Sequence, residues 1–74
     1  MNKALLDYEM RVRGLRKKDL YTAINISKAS YYRKQNGTSD FTGGEIQKIM
    51  DTLSSVEPLS YEDAFRIFFA KEVS

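Results

Sequence analysis

Apolar residues recur along this chain at helical spacing in short windows, separated by residues that stop or start helices. Leu5, Tyr8 and Val12 follow i, i+3, i+7 with Ala4 alongside, which predicts an amphipathic helix from Asn2 to about Val12, stopped by Gly14. Leu20 and Ile24 stand four residues apart and share one face of a second helix that begins near Arg16. Asn25 interrupts that helix, because its short polar side chain tolerates the left-handed backbone, and Ile26 follows as the buried anchor of a tight turn. Ser27 suits an N-cap, since its hydroxyl accepts from an amide two or three residues on. A third helix therefore runs from Lys28 to Asn36-Gly37, where glycine supplies the stop.

Beyond a polar link at Thr38, Ser39 and Asp40, Phe41 reads as a hydrophobic staple and Thr42-Gly43-Gly44-Glu45 as a capping box. The paired glycines lack the spacing, the lysine and the preceding strand of a phosphate-binding P-loop, so they are assigned to helix initiation. Ile46, Ile49, Met50 and Leu53 form the core-facing stripe of a fourth helix. Ser54 to Leu59 is a connector, because Pro58 cannot lie inside a helix. Ser60 and Asp63 open a last helix through about Ala70, with the tail Lys71 to Ser74 expected to fray. On it Ala64, Phe65, Phe68 and Phe69 make one face, and Ile67 and Tyr61 widen it beyond what a small core should cover. The phenylalanines either close the domain or form a self-association patch.

The pattern is thus all-α, with about five short helices in a single domain spanning 1–74. A chain of 74 residues buries a modest core and leans on close helix packing or a partner subunit. Met1 directly precedes helical sequence, so the chain reads as a complete short protein without a signal peptide. No stretch approaches the roughly 20 apolar residues of a membrane span. Cysteine and histidine are absent, which removes disulfides, the common zinc sites and the usual neutral-pH general base. The expectation is therefore a cytoplasmic protein with no catalytic residues, no metal and no cofactor.

Charge sharpens the picture. The net charge is only +2, yet residues 11 to 37 carry eight cationic side chains against one carboxylate, and residues 38 to 74 carry three against seven. Such polarity is the footprint of a phosphate-backbone binder. Arg16, Lys17 and Lys18 open the second helix, where cations oppose the helix dipole, so a nearby polyanion explains Arg16 and Lys17 better than local stability does. Asp19 compensates within the same turn. Arg11 and Arg13 complement the dipole at the end of the first helix, which is a sufficient structural reason for them, with a phosphate contact as the other reading.

At roughly 100° per residue, Lys28, Ala29, Tyr32, Arg33 and Asn36 fall in one sector of the third helix and Tyr31 lies opposite. Two cations, an amide, a phenol and a small residue suit the hydrogen-bonding edges of the DNA major groove, although a basic face can also be merely solvated. The stretch from about 15 to 37 resembles the helix-turn-helix of the Cro and lambda-repressor family. A leucine, a first helix, a glycine-like turn, a recognition helix and a closing Asn-Gly recur there at the spacing of Leu15, Leu20, Ile24, Asn25, Ile26, Ser27, Tyr31, Arg33, Asn36 and Gly37. Four positions depart from the family pattern: Lys17 stands for a common glutamine, Tyr21 for an alanine packed between the helices, Asn25 for glycine, and Gln35 for an apolar residue.

The resemblance implies a lambda-repressor-like fold and a bacterial or bacteriophage regulator, a repressor that occupies an operator in double-stranded DNA. Arg16, Lys17, Lys28, Ala29, Tyr32, Arg33 and Asn36 are the candidate DNA-binding residues. A weak or DNA-dependent homodimer through Phe65, Phe68 or Phe69 is expected. The competing reading is a protein-interaction module, an antitoxin or phage factor that uses the aromatic last helix.

Overall fold

A computed structural model describes residues 1–69; Ala70 and the tail Lys71 to Ser74 lie outside the described residues. Among those described, the elements are α1 (Lys3–Val12), α2 (Lys17–Ala23), α3 (Lys28–Gln35), α4 (Gly43–Val56) and α5 (Tyr61–Phe68), with no strand. The capping residues do what their chemistry suggests. Asn2, Ser27, Thr42 and Ser60 each accept an amide hydrogen bond from the first turn of the helix they open. At Thr42 the Glu45 carboxylate returns the bond, completing the capping box.

The first three helices end alike. Gly14, Asn25 and Gly37 adopt φ of 69°, 59° and 86°, and the next residue's amide donates back across the turn, Leu15 to Met10, Ile26 to Tyr21 and Thr38 to Arg33. Each is a Schellman stop, which satisfies terminal carbonyls and redirects the chain within two residues. Leu15 and Ile26, the residues just past the first two stops, pack against the core, so each stop also carries an apolar anchor. Asn25 is the only non-glycine at positive φ among the described residues, as its local hydrogen-bonding chemistry allows.

The core gathers Leu6, Met10, Leu20, Ile24, Tyr31, Ile49, Leu53 and Ile67. α1 packs on α5, while α2 packs on both α3 and α4. The Asn2 amide donates to the Ile67 carbonyl at 2.6 Å and ties the start of α1 to the end of α5. Tyr31 is fully enclosed, its ring centroid 5.8 Å from Phe41 and 6.1 Å from Tyr21. Burial first, then the nearby Asp7 carboxylate and Tyr32, push its phenol well above its ordinary range, so it stays neutral.

Two expected faces are rotated. On α1 the buried residues are Leu6, Met10 and Glu9; Tyr8 and Val12 are about half exposed, Ala4 is exposed and Leu5 sits at the margin. The buried side of α1 is therefore turned by one residue, from Leu5 to Leu6, and it includes Glu9, buried in an ion pair with Arg13. On α5 the core takes Ala64 and Ile67 with Phe68 beside them, while Phe65, Phe69 and Tyr61 face outward. Ile67 is therefore a core residue rather than an excess one, and Phe65 and Phe69 do not close the domain.

Arg13 is the largest departure. Its side chain is 4 % exposed and pairs with Glu9 at 2.8 Å. Its Nε donates to the carbonyls of Leu53 and Glu57, and Nη2 donates to that of Pro58. The guanidinium thus neutralises the carbonyl end of α4, not only that of its own helix, and it is unavailable to a phosphate. Arg11 remains exposed.

Two substitutions test this packing by chemical denaturation. Tyr31→Ala is expected to lose about 3 to 5 kcal/mol, the range for deleting an enclosed aromatic. Arg13→Ala leaves Glu9 buried without its partner and is expected to lose about as much, whereas Arg11→Ala stays near wild type. Equal effects for the two arginines would contradict the clamp.

Candidate nucleic-acid interface

The turn between α2 and α3 is only four residues long, so the two helices are held as one unit whose outer surface is set by which side of α3 is buried. With Tyr31 and Gln35 enclosed, the opposite side carries Lys28, Ala29, Arg33 and Asn36 exposed and Tyr32 half-buried. Ser27 caps α3 through the Ser30 amide at 3.1 Å and fixes the end from which Lys28 and Ala29 project.

Three of the predicted residues converge. The Lys17 ammonium lies 5.0 Å from the Tyr32 ring centroid and the Lys28 ammonium 5.9 Å. Both distances allow cation–π attraction, which holds the start of α2 and the start of α3 around one aromatic ring. Arg33 leans away to the other edge, where its Nη2 meets the Ser30 hydroxyl at 3.3 Å. Ala29, the shortest side chain of this face, is exposed beside them. Arg16 is not drawn into this group; its side chain is 79 % exposed and its guanidinium lies 3.9 Å from Asp19. The Asp19 carboxylate also accepts the Arg16 amide at 2.8 Å, so Asp19 caps α2 as well as balancing its charge.

Of the eight cations between residues 11 and 37, two are committed inside the fold: Arg13 at Glu9, and Lys34 at Glu45 with a 2.6 Å contact. Spacing leaves Lys34 out of the outer sector but does not foretell its partner, because Glu45 reaches it from the next helix. Desolvation opposes the Glu45 charge, but hydrogen bonds from Lys34 and the Thr42 amide hold its carboxyl below the ordinary value of 4.5. The same carboxylate caps α4 and anchors the end of α3, which fixes the two helices relative to each other.

A sequence family model described as Cro/C1-type HTH DNA-binding domain matches residues 6–55, more than half of the chain. No curated protein and no solved structure matches. No described helix is long and apolar enough to cross a membrane.

Because Glu45 titrates lower when folded than when unfolded, its contribution is present at neutral pH and is lost as pH falls below 4.5 and through the folded value. Glu45→Gln is accordingly expected to flatten the acid limb of stability measured against pH. Identical acid limbs for variant and wild type would show that the carboxylate does not couple α3 to α4.

Proposed function

Since the chain belongs to the Cro/C1-type HTH DNA-binding domain family, we propose that it is a sequence-specific transcriptional regulator, a repressor that acts by occupying an operator in the cytoplasm. The observation that carries this reading is the orientation of α3: its one large aromatic core residue, Tyr31, is enclosed, and that leaves Lys28, Ala29, Tyr32 and Arg33 together on the outer side. Lys28 and Ala29 lie at the N-terminal end of α3, the end that meets base edges in helix-turn-helix docking. Arg33 has the fork geometry to take guanine O6 and N7 together, and the Ala29 methyl suits apolar contact with a base. Lys17, Lys28 and Arg16 supply phosphate contacts on either side, and Asn36 extends the face to the far end of α3.

A second copy is the proposed occupant of the outer side of α5. A groove of about 650 Å³ there is lined by Phe65, Phe69, Tyr61 and Met50, with Glu62 and Arg66 also on its wall. An apolar strip bearing one residue of each charge is self-complementary about a two-fold axis, since Glu62 of each copy can meet Arg66 of the other. One recognition helix reads only a few base pairs, so pairing two subunits on half-sites about one helical turn apart multiplies the contacts. Phe68, predicted for this surface, packs against the core instead, with its ring centroid 6.3 Å from that of Phe69.

Binding to an enriched duplex checks both parts. Arg33→Ala is expected to relax preference at one base pair by about 1 to 3 kcal/mol. Lys28→Ala should weaken every duplex alike and shallow the salt dependence by about one unit. Unaltered binding by Lys28→Ala, Tyr32→Ala and Arg33→Ala together would refute the face. Sedimentation on a palindromic duplex should give two subunits per duplex, with Phe65→Glu reducing this to one at equal protein; one wild-type subunit at saturation with selectivity intact would rule out the dimer.

A further inference from the structure

A separate cluster of hydrogen-bond donors sits at the opposite end of α3 from Lys28. A cavity of about 370 Å³ there is lined by Met1, Lys3, Gln35, Asn36 and Gly37, none of them acidic. The Lys3 ammonium donates to Asn36 Oδ1 at 3.3 Å, joining residues 33 apart in sequence. That bond turns the Asn36 oxygen inward to Lys3 and leaves the Asn36 Nδ2 and the remaining ammonium hydrogens as donors.

Two features are unexplained by the fold alone. Gln35 is 4 % exposed, and neither its Nε2 nor its Oε1 has a hydrogen-bond partner among the described residues; the buried Asp7 Oδ1, one turn beyond Lys3 on α1, has none either. A buried amide without partners is destabilising, and an apolar side chain of similar size would pack there without that penalty. Lys3 opens α1, where a cation opposes the helix dipole, and no described carboxylate lies within ion-pairing distance of it. Gly37 adds no side chain beside them, and the space its missing Cβ would enter is open. Asn36 shares the outer sector of α3 with Lys28 and Tyr32, so an anion seated at this end lies on the same side as the proposed base contacts.

We infer that Lys3, Asn36 and Gln35 form a seat for one phosphodiester of the DNA backbone, beside the base pairs that α3 faces. This rests on the DNA-binding reading and extends it to α1, since Lys3 lies outside the residues 6–55 that match the family. A non-bridging oxygen accepts from Lys3 Nζ and Asn36 Nδ2, and the Gln35 amide is the third donor behind them. The contact is blind to sequence and fixes the register of α3 along the groove from its far end.

The test uses the full chain and an enriched duplex, with affinity measured by fluorescence anisotropy across a salt series. Lys3→Ala is expected to shallow the slope of log K against log salt by about 0.9, the share of one phosphate, and to weaken every duplex by the same factor. Gln35→Leu is expected to keep or raise thermal stability while it weakens binding, a combination that a purely structural role does not produce. A duplex with a single neutral methylphosphonate at the seated position should bind wild type as weakly as Lys3→Ala binds the unmodified duplex, with no further loss on combining the two. If Lys3→Ala and Asn36→Ala keep the wild-type slope while Arg33→Ala weakens binding, the seat is wrong and the DNA reading stands. If inorganic phosphate alone shifts the Lys3 and Asn36 resonances as DNA does and the slope is unchanged, the site takes a free anion and the backbone assignment is overturned. Failure of wild type to bind any duplex removes the DNA reading and the seat with it.

Discussion

An enclosed phenol, Tyr31, fixes the rotation of α3 about its own axis. With its ring held between Tyr21 and Phe41 and no surface left to water, turning α3 would expose this ring and bury Lys28 or Arg33. Burying an unpaired cation is far more unfavourable than exposing a few apolar atoms, so both halves of the exchange resist the turn. The phenol itself is kept neutral by burial, and a soft 3.9 Å contact to the Met10 sulfur meets its hydroxyl. The outer face of α3 is therefore a consequence of what lies beneath it.

Around that ring, short elements are made precise by local chemistry rather than by length. α2 and α3 have seven and eight residues, too few to be stable alone, and each is bounded by a cap and a Schellman stop. Longer-range ties then lock the ends. Arg13 holds the carbonyl end of α4 to α1, and Glu45 holds the amide end of α4 to Lys34 on α3. Each spends a charged group on the interior, which divides the basic stretch into cations that build the fold and cations left on its surface.

Much of this was legible in the sequence because it follows from chemistry within four residues. The caps at Ser27, Thr42 and Ser60, the stops at Gly14, Asn25 and Gly37, and the enclosed and outward sides of α3 all follow from local spacing, and the structure agrees with them. What was illegible depends on which distant group arrives. Arg13 meets Glu9 from the next turn while reaching α4, and the buried residues of α1 are Leu6, Glu9 and Met10 rather than Leu5, Tyr8 and Val12. On α5, six apolar positions among nine residues admit more than one stripe; the packing of α1 selects Ala64 and Ile67 and leaves Phe65 and Phe69 outside. At the candidate interface the outward residues of α3 were readable, but the gathering of Lys17 and Lys28 around Tyr32 and the link from Lys3 to Asn36 needed three dimensions.

The cations left outside and the aromatic ring that Lys17 and Lys28 surround make α3 suited to a groove lined by phosphates, in a chain whose family binds DNA. Selection of bound duplexes from a random library at low salt tests sequence-specific recognition most directly. Recovery of one recurring motif, with affinity falling steeply as salt is raised, is the expected result. Bound duplexes with the same base composition and order statistics as the starting library would contradict it.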